Sequence, residues 1–321
     1  MMMDGLLVGD VGGTNARFAM AHRSAGRFVI DHFETLEGDD FGSFEDALES
    51  YLATTGLKPD HACFALAGPV RDGEVLLTNR RWRVSAQHVS DRFGIGAVNL
   101  LNDFAAMARA VPEYDSATFE TIVDGTPVEG APVLVAGPGT GFGVATLLGS
   151  DTSTWHVLTG EGGHVAFSPR DKTELELARI LLARYGYVSN ELVASGSGLN
   201  AVHDAFCEIY GRTYQEISPQ EMRRLADAGD AMFLSLIQLR ANTVMSAVGD
   251  LVLANGALGG VVLAGGVTNR ITDFLKTPQA YERFVERGPL CQYLRNCPVN
   301  LMRDPEAPLI GAAAFHEQEI K

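Results

Sequence analysis

The sequence predicts an α/β fold built from a duplicated unit with a mixed sheet. Apolar runs of strand length alternate with amphipathic helical segments along the 321 residues. An apolar strand that runs into a glycine-rich turn and a second strand occurs in "LLVGDVGGTNARFAM" and again in "APVLVAGPGTGFGVATLLG". The two stretches lie about 125 residues apart, which indicates an internal duplication.

The first half of the chain supplies the strands and one helix of the opening unit. Strands are predicted over residues 6–11 and 16–21, joined by a glycine-rich turn. Strand signals continue in "RFVIDHFETL" and "HACFALAGPV", and "SFEDALESYLATTG" between them has helical periodicity that Gly56 ends. A strand over 98–101 turns directly into a helix that Asn102 or Asp103 can cap.

The second half of the chain is more helical. "TELELARILLARYG" carries a capping box of Thr173 with Glu176 and ends in a glycine. The long segment "DAMFLSLIQLRANTVMSAVGDLVLANG" leads into a short buried strand over 261–264. Near the end, "APLIGAAAF" predicts a helix of small residues.

Charge and composition exclude several classes of function. The formal net charge is −15, and no Lys/Arg-rich run occurs, so we expect no nucleic-acid partner. No basic segment precedes a signal-like apolar run, and no apolar segment is expected to be long enough to span a bilayer. The 4 cysteines are scattered without CxxC spacing, which favours reduced thiols in a cytoplasmic protein without a membrane partner.

The opening turn has the chemistry of a phosphate site. Gly12 and Gly13 let phosphate oxygens approach backbone N–H groups, Thr14 adds a hydroxyl, and Asp10 can hold Mg²⁺ directly or through water. The alternative is a plain hairpin in which both glycines supply positive φ. A P-loop is excluded because no lysine follows a glycine, and a dinucleotide fingerprint because a strand follows the turn.

Three further acidic positions are candidates for a site. Asp103 follows a strand and can accept a proton from a hydroxyl group, although a helix cap is the commoner use of Asn-Asp. Glu161 and His164, separated by two glycines, can hydrogen-bond one polyol but do not form a zinc pair. Glu191, taken alone, is an exposed glutamate at a helix start.

Six stretches taken together resemble a known family. "LVGDVGGTNARFA", "LLNDFAAMARAVP", "GPGTGFGVA", "LTGEGGHVAFSP", "VSNELVASGSGL" and "VVLAGGVTNR" occur in the order and approximate spacing of the bacterial ATP-dependent glucokinases. The resemblance covers essentially the whole chain and implies the hexokinase–actin–heat-shock ATPase superfamily. It therefore implies two duplicated ribonuclease-H-like (actin-like ATPase) domains around a central cleft. The expected domains are a small one, 1–110, completed by a C-terminal helix over 305–321, and a large one, 111–304.

The resemblance also implies residue roles. Asp103 matches the catalytic base that takes the proton from the sugar 6-hydroxyl, and Asp10 matches the metal position. The sugar-binding residues implied are Asn102, Asp103, Glu161, His164, Glu191 and Asn79. The nucleotide-binding residues implied are Gly9, Asp10, Val11, Gly12, Gly13, Thr14, Gly139, Thr140, Gly141, Gly265 and Gly266. Thr159 and Ser197 stand where the family usually has proline, and neither change removes a polar sugar ligand.

The function implied is transfer of a phosphoryl group from MgATP to the 6-hydroxyl of glucose by a homodimer. A kinase for another hexose or an N-acetyl hexosamine is the main alternative. A non-catalytic sugar-sensing regulator is a weaker one, since no helix-turn-helix is expected before the first strand and the charge is −15. A related branch of sugar kinases carries a zinc loop after its Gly-His, and "GGHVAFSPRDKTELE" has no cysteine for one.

Overall fold

The computed structural model describes residues 5–77, 80–149 and 154–320. The chain divides into two compact units. The first unit comprises Met1–Thr118, Asp151–Thr159 and Asp304–Lys321, and the second comprises Phe119–Ser150 and Gly160–Arg303. The domain limits expected from the sequence remain a prediction.

Strands and helices alternate along most of the chain. The strands are β1 Leu6–Val11, β2 Asn15–Ser24, β3 Arg27–Glu37, β4 His61–Leu66, β5 Glu74–Leu76, β6 Arg83–Ser85, β7 Ala97–Asn102, β8 Glu120–Val123, β9 Val133–Pro138, β10 Phe142–Leu148, β11 His156–Gly160, β12 Val261–Leu263 and β13 Val299–Leu301. The helices are α1 Phe44–Thr55, α2 Ala86–Phe93, α3 Asp103–Ala110, α4 Lys172–Tyr185, α5 Asn190–Ala194, α6 Leu199–Ile209, α7 Pro219–Asp227, α8 Ala231–Asn255, α9 Gly266–Arg270, α10 Thr272–Leu275, α11 Pro278–Val285, α12 Cys291–Arg295 and α13 Ala307–Glu319.

The first sheet has the strand order β3-β2-β1-β4-β7. Strands β1, β2 and β3 form an antiparallel meander, and β4 and β7 then add parallel to β1 after the helices α1 and α2. Because β1 and β4 are covered on both faces, they read as continuous apolar runs. The carboxyl ends of β1 and β7 therefore meet at one edge of the sheet.

The second sheet repeats this order in β11-β10-β9-β12-β13 and adds β8 at its edge. Strands β9 and β10 form the antiparallel hairpin, and β12 and β13 again add in parallel. Matching strand orders in two sheets from one chain confirm the duplication that the two glycine-rich stretches predicted. The predicted α/β fold of duplicated ribonuclease-H-like units is confirmed.

The first sheet has a hydrophobic core on each face. Because successive side chains of a strand point to opposite faces, Leu7 packs with Phe44 and Phe64 beneath α1, whereas Val8 packs with Leu309 beneath α13. Helix α13 lies close against α3, because a Cβ atom added to Gly311 would clash with the Ala106 carbonyl oxygen. The small residues of "APLIGAAAF" thus allow this close helix packing.

Helix α8 corrects the expectation that no segment is long enough to span a membrane. Among the described residues, α8 is the one helix that is long and apolar enough to cross a membrane. It has 25 residues, and the mean hydropathy of its apolar window is 1.2. Within the protein, 78% of that apolar stretch is buried. The same apolar pattern is what a central core helix requires, because α8 is packed by neighbours on nearly every side.

The start of α4 differs from the predicted capping box. Asp171, rather than Thr173, is the N-cap, and its carboxylate accepts a hydrogen bond from the Glu174 backbone N–H at 2.9 Å. Arg283 pairs with the carboxylates of both Asp171 and Glu174 at 2.8 Å. This contact from α11 favours the earlier start, and a local sequence pattern cannot reveal it.

Candidate active site

The turn between β1 and β2 leaves open space above its backbone. The Gly12 N–H donates to the Asn15 carbonyl at 3.0 Å, which closes the turn. Neither Gly12 nor Gly13 has a left-handed φ, so the plain-hairpin explanation for this glycine pair is wrong. A Cβ atom added at Gly12 would meet no atom within 4 Å. The protein's own packing therefore does not require glycine at position 12.

Glycines that have open space beside them without a left-handed φ occur, in the described part of the chain, within the glycine-rich motifs found in the sequence. Among the glycines whose surroundings the structure describes, four combine an ordinary φ with no neighbour within 4 Å of an added Cβ: Gly12, Gly139, Gly160 and Gly266. Glycines such as Gly56 and Gly94 instead have left-handed φ values at helix ends. A glycine that neither backbone nor packing explains indicates a close approach by a ligand.

Asp10 lies at the end of β1 and is paired with a cation. Arg17 is its direct cross-strand neighbour in β2, and the Arg17 Nη1 donates to the Asp10 carboxylate at 2.7 Å. Burial raises the pKa of Asp10 more than Arg17 lowers it. In the described part of the chain, no cluster of three or more metal-ligating side chains occurs. A cation at Asp10 would therefore take most of its ligands from phosphate and water, which is usual for Mg²⁺.

Asn102 and Asp103 stand at the junction of β7 and α3, and Asn102 is the helix cap. Its Oδ1 accepts from the backbone N–H groups of Phe104 and Ala105 at 3.0 and 3.2 Å, and its Nδ2 donates to the Gly68 carbonyl. The capping requirement at this junction is thus met by Asn102. Asp103 is therefore not needed as the cap, and its Oδ1 accepts from the Phe104 N–H at 2.9 Å.

The environment of Asp103 suits a general base. Burial and the negative charge of Asp10 raise the pKa of Asp103 to about 7, against the opposing effect of the Phe104 N–H bond. A carboxylate with a pKa near neutrality is partly deprotonated at pH 7 and is more basic than an ordinary aspartate. The structure thus gives Asp103 the proton affinity that a catalytic base needs.

Glu191 connects the Gly-His turn with the second glycine-rich turn. Its Oε2 accepts from the Phe142 backbone N–H at 2.7 Å, and its Oε1 lies 3.6 Å from the His164 Nε2. A Cβ atom on Gly141 would lie 2.7 Å from the Glu191 carboxylate, so glycine makes room for it. His164, with 59% of its side chain exposed, and Glu161 lie on the exposed turn after β11. Glu191 is therefore held in place, unlike the plain exposed glutamate that its local sequence suggests.

The second glycine-rich turn rests on the segment that follows α5. The carbonyls of Gly139 and Thr140 accept from the N–H groups of Gly196 at 2.9 Å and Ser197 at 3.0 Å. Gly265, with a φ of 98°, passes directly over the Pro138 carbonyl, which a side chain would block. The turns at Gly139 and Gly265 are thus packed together within the second unit.

A cavity of about 380 Å³ opens beside these turns in the second unit. Its wall is formed mainly by α7, α8 and the start of α9, and the lining residues include Gly196, Met222, Ile237, Arg240 and Val267. The walls are largely apolar, with arginine side chains among them. A pocket of this size and lining can accept a planar heterocycle.

Not every predicted residue can be placed. Asn79 lies outside the described residues, and its role remains a prediction. Arg17 was missed, although the predicted strands over 6–11 and 16–21 gave a signal: when Val11 pairs with Ala16, Asp10 and Arg17 are opposite each other. Arg240 was not predicted, because no local motif surrounds it in α8.

Comparison with known proteins agrees with this geometry. A family model described as Glucokinase matches residues 7–319. The glucokinase of Caulobacter sp. (strain K31) is 40% identical over 311 residues, covering 96% of this chain and 93% of its own. The glucokinase of Saccharophagus degradans is 36% identical over 321 residues, which cover 99% of this chain and 100% of that protein. The solved structure of a glucokinase from an Antarctic psychrotroph is 37% identical, with a TM-score of 0.84, and the match covers 97% of this chain and 98% of that chain. The chain therefore belongs to the glucokinase family.

Proposed function

We propose that the protein is a glucokinase, which transfers the γ-phosphoryl group of ATP to the 6-hydroxyl of glucose and releases ADP. The observation that carries the proposal is Asp103, a half-buried carboxylate at the end of a parallel strand with a pKa of about 7. Membership of the glucokinase family supports the same reaction. Asp103 accepts the proton of the attacking hydroxyl, which makes the sugar oxygen a better nucleophile.

Four side chains are proposed to bind the sugar together with Asp103. The carboxylates of Glu161 and Glu191 accept hydrogen bonds from hydroxyl groups, and His164 donates or accepts. Asn102 keeps one amide hydrogen beyond the bond to Gly68. A sugar that lacks or inverts one hydroxyl would leave such a group unpaired, which supports discrimination among hexoses.

The two glycine-rich turns are proposed to hold the phosphates of ATP. Gly12 and Gly139 leave room for phosphate oxygens at the backbone, and the Thr14 hydroxyl adds a donor. The cavity is lined by Val267, which follows the Gly265-Gly266 turn in sequence, and it is proposed to take the adenine base. Positioning and electrostatic stabilisation by these groups account for most of the rate enhancement.

Mg²⁺ is proposed to accompany ATP, with Asp10 as its protein ligand. When bound, the ion would neutralise charge on the phosphates and the transferring group. Asp10→Ala should weaken binding of MgATP, measured by calorimetry, because it removes this ligand while the glycine turns remain. Glucose affinity should stay within about twofold in the same variant, since no sugar role is assigned to Asp10. Loss of glucose binding by a folded Asp10→Ala protein would contradict this assignment.

The protein is further proposed to act as a cytoplasmic homodimer without nucleic-acid or membrane partners. An apolar stripe on α4, formed by Leu175, Leu182 and Tyr185, is exposed and supports a self-association surface. Sedimentation equilibrium tests this proposal, and a monomer at micromolar concentration would contradict it.

Replacement of Asp103 by asparagine tests the proposed reaction. The variant is nearly isosteric and keeps polar contacts, but its amide cannot accept the proton. We expect kcat to fall by roughly 10²–10⁴-fold, while calorimetry shows glucose binding close to that of the wild type. Near-normal turnover would exclude Asp103 as the base, and absence of glucose-dependent ADP release by the wild type would exclude the function.

A further inference from the structure

Arg240, in the middle of α8, is a buried arginine without an acidic partner. Only 5% of the residue is exposed, and no carboxylate lies within ion-pairing distance in the described part of the chain. Burial lowers its pKa to about 10. An uncompensated guanidinium in a protein interior costs folding free energy, so its contacts need a function that offsets this cost.

The guanidinium binds backbone rather than a side chain. Its Nη2 donates to the carbonyls of Ala194 and Ser195, both at 2.8 Å, at the point where α5 ends. Its Nε is buried and has no hydrogen-bond partner within the described residues. Arg240 also lines the neighbouring cavity, but the hydrogen bonds of its guanidinium go to the end of α5.

The residues immediately after this contact hold the second glycine-rich turn. Gly196 and Ser197 donate their N–H groups to the carbonyls of Gly139 and Thr140, at 2.9 and 3.0 Å. The Ser195 hydroxyl lies 2.9 Å from that of Ser197 and accepts from the Gly198 N–H, which stiffens the segment. A continuous chain of hydrogen bonds thus runs from Arg240 through residues 194–197 to the turn at Gly139 and Thr140.

We propose that Arg240 is a positioning residue, which holds the Gly139–Thr140 turn in its phosphate-binding conformation through residues 194–197 rather than by a hydrogen bond to the phosphates. The proposal rests on the proposed function, because that function assigns the turn to phosphate. The bonds from Arg240 fix the carbonyls of Ala194 and Ser195. The segment that follows them then holds the glycine-rich turn in one conformation before ATP binds. The free energy of ordering this loop is then met during folding rather than when ATP binds.

The first test is the Arg240→Met variant, which keeps the stem and removes the donors. We expect kcat/KM for ATP to fall by roughly 10- to 100-fold, while the glucose Kd stays within about twofold. Arg287→Met is the matched control. Arg287 also donates to backbone carbonyls, those of Arg283 and Ser246, but lies outside the proposed site. Its kinetics should remain within about twofold of the wild type, and an equal loss of kcat/KM in both variants would overturn the proposal.

A double-mutant cycle separates positioning from direct contact with ATP. Ser195→Ala removes the hydroxyl that contacts the Ser197 hydroxyl and accepts from the Gly198 N–H, and should lower kcat/KM for ATP in the same direction. Because both changes act through one chain of hydrogen bonds, we expect the double variant to be little worse than the Arg240 variant alone. Multiplicative losses would show that Arg240 acts on ATP independently, which overturns the proposal.

Folding and function are controlled separately in this design. If Arg240→Met does not fold, the same cycle is run with Arg240→Lys, which keeps the charge but shortens the reach to both carbonyls. Retention of wild-type kcat/KM for ATP by either folded Arg240 variant overturns the proposal. A wild-type protein that neither binds ATP nor shows glucose-dependent turnover would instead overturn the proposed function.

Discussion

The Asp103 carboxylate lies where burial and the charge of Asp10 act on its pKa in the same direction. A single neighbouring residue, Asn102, takes the helix-capping bonds that Asp103 would otherwise supply. The pair Asn-Asp therefore divides two roles between two adjacent side chains. This division explains how an acidic residue at a helix start remains available for proton transfer.

A pH profile of kcat/KM for glucose tests the pKa of Asp103. The base must be deprotonated to accept a proton, so activity should fall as the pH drops below about 7. Between pH 8 and pH 6 we expect a decrease of about tenfold. A profile that is flat from pH 8 down to pH 5 would mean that no group with this pKa accepts the proton.

Sequence reasoning found the residues whose role follows from their place in an element. Asp10 lies near the end of β1 and Asp103 directly follows β7, where parallel sheets present ligands, and both were therefore predictable. Arg240 was not, because its role depends on carbonyls some 45 residues away in sequence. The pKa of Asp103 was not predictable either, since it depends on the distance to Asp10 across the folded sheet.

The two glycine-rich turns are the elements that are proposed to bind the phosphates of ATP. Gly12 and Gly139 are glycines that the protein's own packing does not require. Their substitution by alanine should therefore separate function from stability.

Gly12→Ala and Gly139→Ala should keep the melting temperature of the wild type or raise it slightly, because alanine lowers the entropy of the unfolded chain. The added methyl group would occupy the space proposed for phosphate, so KM for ATP should rise at least about fivefold. Gly56→Ala is the inverse control. Its φ of 69° ends α1, and alanine there should cost about 1 kcal/mol of stability without changing KM for ATP. An unchanged KM for ATP in both turn variants would contradict the proposed phosphate site.

Element boundaries were predictable where local signals act alone. Strand β1 matches its predicted residues, and α1 ends at Gly56, whose left-handed conformation closes the helix. The start of α4 was not predictable, because Arg283 on a distant helix stabilises the cap at Asp171. The expectation that no apolar segment could span a bilayer did not hold for α8, which is long and apolar enough by length and composition, although 78% of its apolar window is buried inside the protein.

At the scale of the whole molecule, the duplication gives both sheets the hairpin on which the proposed nucleotide-binding glycines lie. Each sheet begins with a hairpin whose turn carries glycines, and the two hairpins occupy the same position in their sheets. Gene duplication of one unit would produce this repeated order. Divergence within the two copies then leaves Asp10 at one turn and Gly139 and Thr140 at the other.

Stability against acid depends on a buried histidine in the first unit. His316 is fully buried on α13, its Nδ1 lies 2.7 Å from the Asn99 Oδ1, and its ring centroid lies 5.2 Å from that of His61. Burial, and secondarily the charge of His61, lowers the pKa of His316 to about 4. The unfolded chain therefore binds more protons between about pH 6.5 and pH 4. The free energy of unfolding should fall as the pH drops through this window.

Urea unfolding at pH 7.5 and pH 5.0 measures this effect. We expect His316→Gln to reduce the loss of unfolding free energy between the two pH values by about 2 kcal/mol, because glutamine does not take up a proton. His88→Gln, at an exposed position on α2, is the control and should leave the pH dependence unchanged. An equal pH dependence in the wild type and His316→Gln would contradict the proposed role of His316.

The central claim is that the protein phosphorylates glucose, and a substrate panel tests it most directly. Purified wild-type protein is assayed for sugar-dependent ADP release with glucose, mannose, fructose and N-acetylglucosamine. We predict that kcat/KM for glucose exceeds that for each other sugar by at least about tenfold, because Glu161, His164 and Glu191 are proposed to bind particular hydroxyl groups. A higher kcat/KM for another sugar, or ADP release that does not depend on sugar, would contradict the account.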